Sequence, residues 1–205
     1  MPYADDEDDE QEQPSHAMNP KVLIPHDRSS RALDLVSRLF KDRIVWLGDA
    51  IDNTIANSLC QQLVALQLED ATTPITLYIN SPGGSIIDGM AIYDCIRRSK
   101  CPVHAVVCGM AASMGAVILS GCTKGERAAL AHAEVLLHQP LGGARGQATD
   151  IEISAKRILK SKEMLLKLLA ENCGQPIEKV AEDCDRDYWL DAAEAKAYGI
   201  VDKLI

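Results

Sequence analysis

Long apolar runs are missing from this sequence: no window holds the 18 consecutive apolar residues that mark a membrane span. The sequence therefore predicts no membrane-spanning helix. The N-terminal residues also lack the basic stretch and the apolar stretch of a secretory signal, and their acidity is the reverse of a transit peptide. We therefore expect neither export nor a membrane partner.

A basic patch is missing as well, which argues against a nucleic-acid partner. The net charge is −9, but seven acidic residues and no Lys or Arg lie in residues 1–16, so the rest of the chain carries only −2. We interpret residues 1–16 as a disordered, solvated tail, because a run of like charges cannot bury enough apolar surface to fold.

Paired cysteine motifs are the third absence. None of the seven cysteines has CxxC spacing, so neither a zinc site nor a redox motif is predicted. Most of them lie in apolar stretches, and we interpret them as free thiols that serve as small core residues in a reducing compartment. The length of 205 residues and the apolar fraction of 47% suit one globular domain, or two small ones.

Short apolar strands alternate with helical patterns along the chain. Strands are predicted at residues 44–47, 75–79, 103–107 and 135–137. Helices are predicted to begin at Ser30, at Asp52, after Gly84 and near Ser113, whereas residues 1–30 are expected to be irregular. Strands that are buried on both faces are typical of parallel sheets, so we predict an α/β fold with ligands at the carboxyl ends of its strands.

The longest helical pattern covers residues 147–172. Thr149 is its predicted N-cap, and Ile151, Ile158, Leu165 and Leu169 form one apolar stripe. At 1.5 Å per residue such a helix is about 39 Å long, which exceeds the needs of one small domain. We expect a partner subunit to cover the stripe, with packing on its own domain as the alternative.

Three groups of residues could carry acyl-transfer chemistry. Ser113 lies between a strand and a helix, where backbone N–H groups could stabilise an oxyanion, although a serine there can also be a simple N-cap. His138 follows an apolar strand and could be a general base or a structural histidine. An orienting carboxylate could come from the acidic cluster at 182–187, in which spacing does not select one residue.

A glycine turn at residues 80–84 follows the second predicted strand. It could be a plain turn, or it could bring a backbone N–H close to a substrate carbonyl, because glycine permits a close approach. It matches neither the phosphate-binding loop nor the dinucleotide-binding glycine pattern.

Four motifs resemble the proteolytic subunits of the Clp protease family, known as ClpP or peptidase family S14. They are YINSPGG at 78–84, AASMG at 111–115, HQPLGG with GQATD between 138 and 150, and DRD with EAKAYGIVD between 185 and 202. The resemblance implies the ClpP/crotonase-like α/β fold of repeated β-β-α units, with one protease domain at 31–205 and a projecting handle helix at about 147–172. It also implies an axial segment at 17–30 and a propeptide at 1–16, which we expect to be removed by self-cleavage between His16 and Ala17.

The resemblance implies a serine endopeptidase with Ser113 as nucleophile, His138 as general base and Asp187 as orienting acid. The backbone N–H groups of Gly84 and Met114 would form the oxyanion hole. Other positions carried over from the family have three roles: a substrate-binding extended segment at Ser85, Ile86 and Ile87 and around Leu141, a ring-contact pair at Asp185 and Arg186, and unfoldase docking at Tyr78 and Leu130.

The family's assembly and partners follow from the same resemblance. We expect two stacked heptameric rings in the cytoplasm of a bacterial-type cell, cleaving unfolded proteins to short peptides in an inner chamber. An AAA+ unfoldase such as ClpX, ClpA or ClpC would feed them using ATP, while the peptidase itself would need no metal or organic cofactor.

Three positions depart from the family's pattern. Thr76, Arg98 and Ala128 stand where large apolar residues usually form the docking pocket. We therefore expect weak unfoldase docking, or a particle shared with a second ClpP paralogue. The alternatives are a structural subunit of a mixed particle and, less favoured by the complete set of Ser, His and Asp, a crotonase-like acyl-CoA enzyme.

Overall fold

Two units make up the chain, residues 1–38 and residues 39–205. The computed structural model describes residues 21–26, 29–143 and 145–205. The acidic tail and its predicted cleavage site lie outside the described residues, as does part of the predicted axial segment.

The first unit contains a β-hairpin. Strands β1 (Lys21–His26) and β2 (Ser29–Asp34) pair antiparallel, with Lys21 opposite Asp34 and His26 opposite Ser29. The prediction that residues 1–30 are irregular is therefore wrong for the described part of that range. Extended backbone satisfies its hydrogen-bonding groups here by pairing across the hairpin.

Helix α1 (Leu35–Lys41) begins later than predicted. Ser30 lies within β2 and does not cap it. The cap comes from the carboxylate of Asp34, which accepts hydrogen bonds from the Ser37 N–H at 2.9 Å and the Ser37 hydroxyl at 2.6 Å. Asp is as good an N-cap as Ser, so the residue type alone could not select between them.

The second unit is built on one sheet, which has seven strands among the described residues. The strands are β3 (Ile44–Leu47), β4 (Ile75–Ser81), β5 (Val103–Ala112), β6 (Arg127–Ala129), β7 (Glu134–Leu137), β8 (Tyr188–Asp191) and β9 (Lys203–Leu204). The order β3-β4-β5-β6-β9 is parallel throughout; β7 pairs in parallel with β5 and antiparallel with β8. The prediction of an α/β fold with a largely parallel sheet is confirmed.

Helices connect and cover these strands. They are α2 (Asn53–Glu69), α3 (Ile86–Arg98), α4 (Met114–Gly121), α5 (Ala148–Cys173), α6 (Ile177–Asp183) and α7 (Ala192–Tyr198). Asp52 caps α2 as predicted, its carboxylate accepting from the Ile55 N–H at 2.8 Å. Of the helices that the structure describes, none has the length and apolarity needed to cross a membrane.

Strand β3 differs from the prediction of a fully buried strand. Its burial alternates, and the Trp46 side chain is half exposed and stacks on Tyr78 of β4 with ring centroids 5.1 Å apart. Strand β4, which is not an edge strand, alternates in the same way, so one face of the sheet is only partly covered at these two strands.

Helix α5 is buried only near its C-terminal end. Its buried residues are Leu165, Leu169, Ala170 and Cys173, whereas Ile151 is exposed. Thr149 lies inside the helix; the N-cap residue is Gln147, whose side chain makes no capping hydrogen bond, so the predicted cap is wrong. The N-terminal two-thirds of α5 thus presents apolar side chains that the chain's own core does not cover.

A buried ion pair joins the C-terminal strand to β6 and α5. Arg127, only 1% exposed, donates to both carboxylate oxygens of Asp202, at 2.8 and 2.6 Å, and to the carbonyls of Asn172 and Gly199. Burial acts to raise the pKa of Asp202, but its hydrogen bonds and its proximity to Arg127 outweigh that effect and lower the pKa below the usual 3.8.

Candidate active site

Ser113 occupies a strained turn between β5 and α4. Its φ of 54° and ψ of −120° lie in a region that residues other than glycine rarely adopt. Buried residues flank it on both sides, and its N–H donates to the Leu136 carbonyl at 2.9 Å. Although Ser113 stands at the N-cap position, its side chain makes no capping hydrogen bond. Strain of this kind persists only where packing enforces it, and it is common at reactive residues.

The glycine turn packs directly against this serine. A Cβ on Gly83, whose φ is 87°, would lie 2.7 Å from Ser113 Cβ and 2.9 Å from the Met114 nitrogen. A Cβ on Gly84 would collide with the Ile51 backbone. These close approaches need glycine at both positions, so the turn at 80–84 is more than a plain reversal of the chain.

Two backbone N–H groups next to Ser113 are open to a ligand. Met114 is the first residue of α4, where N–H groups have no partner in the helix, and Gly84 leaves its N–H free while Gly83 O and Ser85 N pair with Ile51. Neither group donates to an acceptor among the described residues. Both residues line the same cavity as Ser113, so their N–H groups are candidate donors to an oxyanion formed there.

His138 and Asp187 meet although 49 residues separate them in sequence. His138 Nδ1 lies 3.1 Å from Asp187 Oδ1. Pairing of β7 with β8 sets Leu137 opposite Tyr188, and this register brings the two functional side chains together. The acidic cluster thus contributes Asp187 at this histidine, a choice that sequence spacing left open. The Asp187 side chain is 65% exposed, whereas that of His138 is 15% exposed.

A cavity of about 250 Å³ opens beside Ser113 and His138. Its wall is mostly apolar and comes from α4, β7 and the buried end of α5: Met114, Val117, Leu137, Leu165, Leu166 and Leu169. Sequence analysis did not identify this pocket. The apolar stripe on α5 includes two residues of this wall, Leu165 and Leu169, but a helical pattern does not show whether its apolar face packs in a core or lines a cavity.

Cys184 lines the same cavity without a chemical role in it. Burial, with a contribution from nearby Asp183, raises the pKa of its thiol to about 11, although Lys162 acts in the opposite direction. The thiol is therefore protonated at neutral pH, when it would be a poor nucleophile. Burial likewise raises the pKa of Cys122 and Cys173 to about 12, in keeping with cysteines that serve as core residues.

An adjoining groove of about 400 Å³ contains the residues predicted to hold substrate. Ser85, Ile86, Ile87 and Leu141 all line it, together with Ile158 of α5. The expectation of an extended segment is wrong for Ile86 and Ile87, which form the first turn of α3. Ser85 caps that helix by accepting from the Asp88 N–H at 3.4 Å, which ends the extended backbone at Ser85 itself.

The predicted ring-contact pair lies beside the site on an exposed loop. Arg186 Nε is 3.8 Å from Asp185 Oδ2, and the Arg186 side chain is 91% exposed. Sequence analysis missed Gln139, whose side-chain amide donates to the Asp185 carbonyl at 2.8 Å. Its only sequence signal was its place directly after His138.

The predicted docking residues lie at two places on the sheet: Tyr78 is a partly exposed residue of β4, and Leu130 directly follows β6. Tyr78 stacks on Trp46, an aromatic partner that the sequence analysis did not include, and Leu130 is 40% exposed. Of the departures from the family's pattern, Arg98 is exposed at the end of α3 and Ala128 is buried in β6.

Comparison with known families gives a match over most of the chain. A family model described as Clp protease matches residues 27–205. That range includes Ser113, His138 and Asp187, the glycine turn, both cavities and all of α5.

Proposed function

Because this chain belongs to the Clp protease family and is a peptidase of the ClpP type, we propose that Ser113, His138 and Asp187 are its catalytic triad. The observation that carries this proposal is their arrangement. Ser113, which has a strained backbone, lines the same cavity as His138, and the Nδ1 atom of His138 is within hydrogen-bond distance of the Asp187 carboxylate. Those are the three roles that serine acyl transfer needs.

The reaction follows from these positions. Ser113 Oγ forms a bond to the scissile carbonyl carbon while its proton passes to His138 Nε2, the ring nitrogen that does not contact Asp187. The Gly84 and Met114 N–H groups bind the resulting oxyanion. His138 then gives the proton to the leaving amine, which departs and leaves an acyl-enzyme. Water attacks the ester with His138 as base, releasing the second product and restoring Ser113.

The substrate in this proposal is an unfolded polypeptide bound along the groove. Gly84–Ser85 and the segment at Leu141 flank the groove and offer backbone groups to an added strand. The apolar cavity beside Ser113 suits an apolar side chain next to the scissile bond. Products would be short peptides.

We also propose that the chain assembles into two stacked rings through the exposed part of α5. Ile151, Ile153 and Leu159 are between 42% and 64% exposed, and a contact between two rings of seven subunits would cover them. The stacked pair of Trp46 and Tyr78 offers an apolar surface for a loop of an ATP-dependent unfoldase. Thr76, Arg98 and Ala128 put no large apolar side chain at the positions that the family resemblance assigns to docking, which supports weak docking or docking through a second paralogue in the same particle.

A fluorophosphonate probe with intact-mass analysis tests the triad. We expect one adduct on the wild-type protein and none on Ser113→Ala. The matched control is Ser58→Ala, which removes a hydroxyl from the exposed side of α2 and should label as the wild type does. An adduct that persists on Ser113→Ala would contradict the proposal. Absence of any adduct and of peptide hydrolysis would favour a structural subunit.

Two further measurements test the proposed propeptide and the proposed assembly separately. Intact mass should show residues 1–16 missing from the wild type and retained in Ser113→Ala, if both are made in a host without its own such protease. Native mass spectrometry should give fourteen subunits. Tight binding of a Clp unfoldase to particles of this chain alone would refute weak docking.

A further inference from the structure

Gln139 is held on three sides directly after the proposed catalytic histidine. Its N–H donates to the Cys184 carbonyl at 2.6 Å, and its side-chain amide donates to the Asp185 carbonyl at 2.8 Å. Its side-chain oxygen accepts from Lys162 Nζ at 2.7 Å. No group of this residue's side chain is left without a partner, so its orientation is fixed.

The two carbonyls that Gln139 binds belong to the loop that carries Asp187. This loop joins α6 to β8, and its residues Asp185, Arg186 and Asp187 are all exposed. The ladder between β7 and β8 begins only at Tyr188. Gln139 therefore ties the loop to the residue after His138 on the side before Asp187, where sheet hydrogen bonds do not reach.

Lys162 brings helix α5 into this arrangement. It lies just before Leu165, where α5 starts to be buried, and it lines the cavity that contains Ser113. Among the described residues, no carboxylate lies within ion-pair distance of its ammonium group. Its strongest polar contact is the Gln139 amide, and a charge-assisted hydrogen bond of this kind is stronger than a neutral one.

We propose that Lys162 and Gln139 are positioning residues, which transmit the placement of α5 to the His138–Asp187 pair. Lys162 fixes the Gln139 amide, Gln139 fixes the loop at Asp185, and the loop sets Asp187 against His138. The proposal rests on the proposed triad, because Asp187 must orient His138 for the relay to matter. It gives α5 a role in catalysis in addition to its proposed role in assembly.

Kinetics of a fluorogenic peptide test the relay. Lys162→Met and Gln139→Met should each lower kcat by about tenfold with KM changed less than about twofold, because misplacing a catalytic group affects the transition state more than binding. Lys162→Arg should restore most of the activity, since it keeps the donor. Lys160→Met, which removes the same charge from the exposed side of α5 two residues away, should behave as the wild type does.

The double variant separates a relay from two independent effects. Residues that act through one chain of contacts are not additive, so Lys162→Met with Gln139→Met should be no slower than the slower single variant. A double variant slowed by the product of the two single effects would overturn the relay. So would an effect of Lys160→Met equal to that of Lys162→Met.

Hydrogen exchange tests the relay without any need for activity. Peptides that cover residues 184–188 should exchange faster in Lys162→Met and in Gln139→Met than in the wild type or in Lys160→Met. Unchanged exchange in both variants would overturn the relay whatever the kinetics. If the wild type neither hydrolyses peptide nor takes up the fluorophosphonate, the proposed triad fails, and exchange alone then decides whether α5 controls this loop.

Discussion

The two halves of the candidate site are built in opposite ways. Ser113 is fixed by backbone: its strained turn lies between buried residues and against Gly83, where no side chain fits. Asp187 lies on an exposed loop, its side chain 65% accessible, and polar side-chain contacts hold that loop. Among the described residues, no hydrogen bond joins Ser113 to His138, so the two halves meet across a gap.

The contrast indicates where this site is rigid and where it is adjustable. Strain at Ser113 lowers the stability of the folded protein whether or not substrate is bound, but the turn needs no further ordering when substrate binds. A loop held by a few hydrogen bonds can shift at low cost. Substitutions at Ser113 and its turn should therefore either abolish activity or lower the stability of the fold. Substitutions at Asp187 and its loop should lower activity by intermediate amounts.

The largest expected effect comes from removing the nucleophile. Ser113→Ala should lower kcat by at least about 10⁴-fold, as removal of the nucleophile does in serine proteases. Alanine meets the same backbone strain as serine, so thermal unfolding should be unchanged. Peptide hydrolysis and a melting curve on the same sample check both statements. A large fall in melting temperature would show that the hydroxyl also supports the turn.

The next effect is on the acid side. Asp187→Asn should lower kcat by about 10⁴-fold, because the amide cannot stabilise the imidazolium and can hold the wrong tautomer. Stability should hardly change, since the Asp187 side chain is exposed. Glu182→Gln, an exposed carboxylate of the same acidic cluster, is the matched control. Equal losses in the two variants would remove the distinction between Asp187 and its neighbours.

Gly83→Ala probes the rigid half through stability. The new Cβ would meet Ser113 Cβ at 2.7 Å in a backbone conformation that alanine rarely adopts. Strain and overpacking together should cost about 3 kcal/mol of unfolding free energy. Gly143→Ala is the control, because no atom of the residues that the structure describes lies within 4 Å of a Cβ there and its φ is not positive. Urea unfolding of both variants measures the difference, and equal midpoints would mean that the turn yields easily.

The smallest expected effect concerns the ion pair between Arg127 and Asp202, which supports the fold and belongs to neither half of the site. The pKa of Asp202 is lowered in the folded protein, so its ion pair with Arg127 stabilises the fold above the unfolded pKa near 3.8 and is lost as pH falls through the lower folded value. The stability advantage of wild type over Asp202→Asn should therefore shrink on acidification below about pH 4. Chemical unfolding at several pH values tests this; a constant advantage would contradict it.

Local pattern was enough to identify Ser113 and His138 as candidates, because each follows an apolar strand that points to the carboxyl edge of the sheet. It could not select Asp187, because that choice depends on the register between β7 and β8. It also missed the contact between Lys162 and Gln139, which are 23 residues apart on different elements. The exposure of Trp46 depends on which face of the sheet the helices cover at β3 and β4, and this is a property of the whole topology.

The pairing of β7 with β8 also imposes an order on biosynthesis. Translation delivers Ser113 and His138 first, and the proposed orienting carboxylate follows 49 residues after the histidine. Until β8 has left the ribosome, β7 has no antiparallel neighbour on that side and His138 has no Asp187. A nascent chain therefore carries its nucleophile before it has the means to use it, and the proposed triad can form only after β8 has been synthesised.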